Sequence, residues 1–271
     1  MLQLPVFQVD AFTDHVFGGN PAAVCPVPLM FSDTVLQAIA SENNLSETAY
    51  LLELPEDDEA DFLLRWFTPS TEVDLCGHAT LAAAQVIFSH LKAELHQIKF
   101  STRSGILTVD RGNDRHSMSF PSLDPKPYEA PAALDAAMGA APISVWKSEK
   151  ADRDLMLVYP DADTVAALKP NLEALKAFAP YGFIATAPGG DGVDFVSRCF
   201  FPNHGIAEDP VTGSAHCVTG PYWARELGKA GLYAKQTSAR GGDLWLTIEA
   251  DRVKMAGQAV EFMQGVMFVP E

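Results

Sequence analysis

Apolar positions along this chain fall mostly into short runs of Val, Ile, Leu and Phe separated by turn residues, and those runs predict strands. Leu4 to Phe12 (LPVFQVDAF) reads as an opening strand, followed by a Gly18-Gly19 turn. Asn20-Pro21 then predicts a helix start, with Asn as N-cap and Pro at the first position, leading into a short helix PAAVC. Ser32 to Leu45 has the pattern of an amphipathic helix: Ser32 caps it, Val35, Leu36 and Ile39 share a face, and Asn43-Asn44 ends it. ETAYLLEL and DFLLRWF, separated by the acidic turn PEDDEAD, predict a hairpin.

Two longer apolar segments break this rhythm. TLAAAQVIF, after Gly77, is apolar on most sides and predicts a helix buried all round. Its counterpart, Ala215 to Leu227, carries Pro221, which is expected to limit or kink that helix. Strands around one buried helix in each half imply an α+β fold, a sheet curled about a central helix, built twice. Gly189-Gly190-Asp191-Gly192 and Gly241-Gly242-Asp243 read as turns between strands. AVEFMQGVMFVP at the C-terminus reads as a strand pair.

The duplication is visible in three separate segments. Arg65-Trp66-Phe67-Thr68-Pro69 followed by Cys76-Gly77-His78-Ala79 answers Arg198-Cys199-Phe200-Phe201-Pro202 followed by Thr212-Gly213-Ser214-Ala215. STRSGILTV (Ser101 to Val109) likewise answers SARGGDLWLTI (Ser238 to Ile248). Two lobes built alike can enclose a cleft whose facing residues have diverged. The proline-rich stretch Pro121 to Leu134 places the boundary near residue 120, with lobes 1–120 and 121–271. The last strands, about 258–271, are candidates to return to the first lobe.

Composition narrows the function classes. A formal net charge of −16 and the lack of any Lys/Arg-rich run argue against nucleic acid as a partner, while leaving room for a small carboxylate held by a local cluster of N–H groups. No apolar run approaches membrane-spanning length, and MLQLPVFQVD has no basic segment before an apolar core, so a cytoplasmic protein without membrane partners is expected. Cys25, Cys76, Cys199 and Cys217 show no CxxC spacing and are expected to be reduced thiols.

Candidate chemistry concentrates at a few places. Glu47 follows a predicted helix and opens an apolar strand, where partial desolvation would raise its pKa toward that of a general acid/base; a solvated loop glutamate is the alternative. Cys76-Gly77-His78 and Thr212-Gly213-Ser214 open the two central helices, where glycine admits close approach and first-turn N–H groups attract anions. Plain helix capping, with Ser214 as the cap, is the alternative there. Asp209, in Glu208-Asp209-Pro210, stands opposite Val73 when Gly213 is aligned with Gly77, so this acid is present in one copy alone. His204, His216 and Cys217 match no metal-ligand spacing, and no metal is expected. No GxSxG, Walker or dinucleotide fingerprint is present.

FQVDAFTDHVFGGNPAAVC, NLSETAYL, RWFTPSTEVDLCGHATLAAA and EDPVTGSAHC together resemble the PhzF-like phenazine biosynthesis family, over almost the whole chain. The resemblance implies the diaminopimelate epimerase fold, two pseudo-symmetric lobes with an active site between them, and a homodimer. It implies a cofactor-free isomerase that moves a proton on a small carboxylate-bearing substrate. By the same resemblance Glu47, His78, Asp209 and Ser214 are the catalytic set, and Gly77, Gly213, Ser46 and Asn20 bind substrate. The related epimerases use two thiols; here Cys217 lies beyond the second junction, so a cysteine-dependent racemase is disfavoured and Cys76 is expected to be a small packing residue. A binding or interaction protein that keeps the fold without turnover is the other reading.

Overall fold

A computed structural model describes residues 1–56, 58–150 and 153–269. The chain divides into two compact units, one made of Met1–Ser119 with Ala256–Glu271 and the other of Phe120–Met255. Asp57 of the acidic turn and the last two residues of the C-terminal segment lie outside the described residues.

In the first unit, strand Leu2–Ala11 lies antiparallel to Ala259–Val269 on one side and to Asn20–Pro26 on the other. Asn20–Pro26 pairs in parallel with Glu47–Glu53, which forms the expected hairpin with Phe62–Phe67. Phe62–Phe67 is followed by a short strand Glu72–Val73, then helix Gly77–Val86, then strand Gln97–Thr102, which returns parallel to Phe62–Phe67 and turns back through Gly105–Asp110. The second unit repeats these steps. Asp154–Val158 pairs in parallel with Gly182–Pro188, which pairs antiparallel with Phe195–Phe201. The chain then passes through Ile206–Asp209 and helix Gly213–Leu227 to Gly231–Gln236, parallel to Phe195–Phe201, and turns back through Gly242–Glu249. The duplicated motifs are thus one β-turn-β-helix-β-hairpin path traced twice. This is the α+β, epimerase-like architecture.

The first central helix is buried because its sequence offers no broad polar face, whereas the second is buried from Ala215 to Trp223 and exposes its last turn. Ala79, Leu81, Ala82, Ala83, Ala84 and Val86 are all fully inaccessible. Gly257 lets a strand come close to the first helix: a Cβ there would stand 2.4 Å from Phe12 Cδ1 and 3.1 Å from Leu81 Cδ2. Among the described residues no helix is long and apolar enough to cross a membrane.

Three local expectations are corrected. PAAVC is a strand, not a helix, because Asn20–Pro26 runs between two other strands and buries both faces; Ala and Val side chains satisfy such a slot, and Pro21 is tolerated next to the strand start. Pro221 does not limit its helix, which continues to Leu227. A proline at this position frees the carbonyl of Cys217, and that oxygen accepts from Leu123 N at 3.0 Å. AVEFMQGVMFVP contains one continuous strand, Ala259–Val269, rather than a pair. Asn44 ends the Asp33–Asn43 helix in the left-handed conformation (φ 48°), as its sequence suggests.

Candidate active site

Glu47 is the first residue of its strand, Cys76 the N-cap of the first central helix, and His78 lies in that helix's first turn. The fold brings the three together. His78 Nε2 stands 2.9 Å from Glu47 Oε2, with only 7% and 13% of the two side chains exposed. This approach has the distance of an ion pair but not hydrogen-bond alignment, so the buried Oε2 has a charge contact without hydrogen-bond satisfaction. Cys76 Sγ lies 3.5 Å from Nδ1 and 3.9 Å from Nε2 of the same imidazole. The Asn20 amide, from the first position of the neighbouring strand, lies 3.3 Å from Nδ1. A neutral ring accepts there from the amide nitrogen, while an imidazolium calls for the amide oxygen.

The electrostatics follow from this packing. Burial disfavours an imidazolium, but coupling to Cys76 and to the Glu47 carboxylate outweighs it and lifts the His78 pKa well above 6.5. Burial first, and then the Glu47 carboxylate, push the Cys76 thiol up, so Cys76 is a neutral thiol near pH 7. Cys76 is therefore more than a packing residue: it is part of the cluster. Glu47, Cys76 and His78 each place one donor atom within 4.8 Å of the others, a set able to hold a metal ion. Among the described residues His204, His216 and Cys217 form no such group.

In the second unit Asp209 ends a short strand three residues before the helix cap Thr212. Thr212 Oγ1 donates to Asp209 Oδ2 at 2.5 Å. Gln236, fully buried, accepts from Thr212 N at 2.9 Å and donates from Nε2 to the Asp209 carbonyl at 2.8 Å. Ser214 is half-buried in the first helical turn and is not the cap. Ser46 is half-buried beside Glu47, Gly77 is half-buried, and Gly213 is buried.

The two helix starts are built alike. Cys76 and Thr212 are the N-caps, and neither side chain caps its own helix. In both, the residue four positions on bonds to the cap carbonyl: Thr80 Oγ1 to Cys76 O at 2.6 Å, and His216 Nδ1 to Thr212 O at 2.8 Å. Sequence reasoning missed Gln236. An amide at the end of GLYAKQ carries no periodic signal, and only the parallel pairing of that strand reveals its place.

Residues 9–265 match the family model described as phenazine biosynthesis-like protein. An uncharacterized isomerase of Pseudomonas aeruginosa is 47% identical over 98% of this chain and 99% of its own length. A crystal structure of a phenazine biosynthesis protein of the PhzF family from Enterococcus faecalis is 41% identical, covers 99% of this chain and 100% of its own, and has a TM-score of 0.93. A predicted epimerase of Pseudomonas aeruginosa, 21% identical with a TM-score of 0.72 over 98% of this chain and 100% of its own, shares the fold.

Proposed function

This chain belongs to the phenazine biosynthesis-like family, and on that footing we propose that it is a cofactor-independent isomerase acting on a small carboxylate-bearing substrate. The observation that carries the reading is the buried pair of Glu47 and His78 at 2.9 Å. A carbon acid next to a carboxylate is weak, so its ionisation needs a base held on the reacting carbon and fixed donors for the charge that develops on oxygen. Glu47 takes the proton from one carbon, the electron pair delocalises toward the carboxylate, and the same proton returns to a second carbon; nothing is oxidised or reduced. His78, held as an imidazolium, stabilises the carboxylate form of Glu47 and donates toward the developing anion.

Asp209 takes a polarising or protonating role, and Ser214 orients the substrate carboxylate. Gly77 and Gly213 are assigned to anion binding, which the uncapped first turns of their helices support. Ser46 and Asn20 complete the substrate-binding set. The neutral Cys76 thiol is a poor carbon base, which weighs against a cysteine-dependent racemase. The working assembly in this reading is a homodimer, which sedimentation would register as twice 29.3 kDa.

The test is proton NMR in deuterated water with a panel of small unsaturated amino and hydroxy acids, including the dihydro-hydroxyanthranilate type. Expected is enzyme-dependent isomerisation or deuterium incorporation, lost in Glu47→Gln. Ligand binding without turnover in the unmutated protein would overturn the isomerase and leave a binding protein on this fold.

A further inference from the structure

The cluster at the first helix start offers more than proton transfer. Its donors are a carboxylate oxygen, a thiol sulfur and an imidazole nitrogen, a mixed set that suits a borderline-soft divalent ion better than Mg2+ or Ca2+. We infer that Glu47, Cys76 and His78 form a binding site for one Zn2+ ion.

Geometry supports this. Zinc bonds of about 2.0–2.3 Å in a tetrahedron place donors about 3.3–3.7 Å apart. Here Nε2–Oε2 is 2.9 Å, Nε2–Sγ is 3.9 Å, and one donor from each residue lies within 4.8 Å of the others. The measured separations bracket the required ones, so side-chain shifts of about an ångström close the three onto one ion. All three residues sit on a strand start or a helix start, which limits the entropy lost on binding. Glu47 Oε2 is buried against His78 Nε2, and a cation between them takes the place of the proton that links the two. The ion would also hold the thiol as thiolate, and Zn2+ with one thiolate and one carboxylate is a neutral unit in a buried place. Three protein ligands leave a fourth position for water or a ligand carboxylate, and the residual exposure of His78 and Glu47 marks the way in.

A metal on these donors and proton transfer by Glu47 exclude each other, a consequence that rests on the proposed isomerase. Metal binding itself does not rest on it. Zinc therefore acts as a blocking ligand of this site.

The experiment titrates the metal-free full chain with Zn2+ against a chromophoric chelator, and in parallel with Co2+ as a spectroscopic probe. Expected is one ion per chain, with a thiolate-to-cobalt charge-transfer band and the visible bands of four-coordinate cobalt. Among the described residues Cys76 is the one cysteine with two further donors at hand, so the band reports this site. Cys76→Ser should remove the band and weaken Zn2+ binding by about 100-fold or more, whereas Cys217→Ser keeps both. No band in the unmutated chain overturns the site whether or not any variant folds, and a band that survives Cys76→Ser does the same. A chain that shows the band but no isomerisation loses the isomerase reading and keeps the zinc site; isomerisation without the band gives the reverse.

Discussion

Arg65 grips Glu72 through two parallel bonds, Nε to Oε1 and Nη2 to Oε2, both 2.7 Å, with its guanidinium 5.1 Å from the Phe67 ring centroid. The second unit repeats this with Arg198, Glu208 and Phe200, at 2.7 and 2.9 Å and 5.0 Å. In both, the arginine sits on the strand before the helix and the glutamate on the short strand that leads to it, so the pair fixes the approach to each helix start. Planar two-point contact of this kind needs a guanidinium.

Arg65→Met is therefore expected to destabilise the protein by about 2 kcal/mol, since it leaves Glu72, 10% exposed, with the half-exposed Arg103 at 2.6 Å in place of the two-point contact. Arg65→Lys should recover part of this, because an ammonium cannot make both bonds. Arg198→Met and Arg198→Lys should follow the same order. Urea unfolding of the four variants checks it, and equal losses for Met and Lys would show that the two-point geometry is immaterial.

Gln236→Leu strips partners from the Thr212 N–H and the Asp209 carbonyl at one stroke. An expected cost of about 2 kcal/mol follows from leaving buried backbone groups unpaired. Thermal unfolding measures it, and an unchanged midpoint would show that the two backbone groups do not depend on this amide.

His78 is expected to remain an imidazolium at neutral pH, because its pKa lies well above 6.5. Raised in the folded state, it contributes stability that is fully present below 6.5 and is lost as pH rises through the folded value. In Glu47→Gln the opposing charge is gone and burial dominates, so the pKa should fall. Carbon-detected NMR titration of the histidines reads both; an unshifted His78 in Glu47→Gln would remove the carboxylate as the cause.

His216 has the opposite sign. Burial lowers its pKa to about 4 from 6.5, so the unfolded chain takes up this proton first as pH falls. Stability should thus be lost between pH 6.5 and 4, by about 3 kcal/mol at most from this group. His216→Gln should flatten that part of the stability profile, as followed by urea midpoints across the range.

The duplication, the two buried helices and the hairpin after Asp33–Asn43 are legible from order and periodicity, because local pattern and repeated motifs are properties of the chain itself; Glu47 and His78 stand out as a catalytic pair only through the family resemblance. PAAVC was misread for a physical reason: Asn-Pro-Ala-Ala satisfies a helix start locally, and only the strands on either side of it demand an extended backbone. Pro221 was misread for a similar reason, since the Leu123 N–H that accommodates it lies nearly a hundred residues away in the chain. Cys76 looked like packing in a sequence and became part of a three-residue cluster once Glu47, 29 residues before it, arrived beside His78. Sequence alone determined which residue types stand at the helix starts and in what order. Tertiary structure decided which of them touch, because hydrogen bonds and ion pairs form across distances of about 3 Å that chain spacing does not encode.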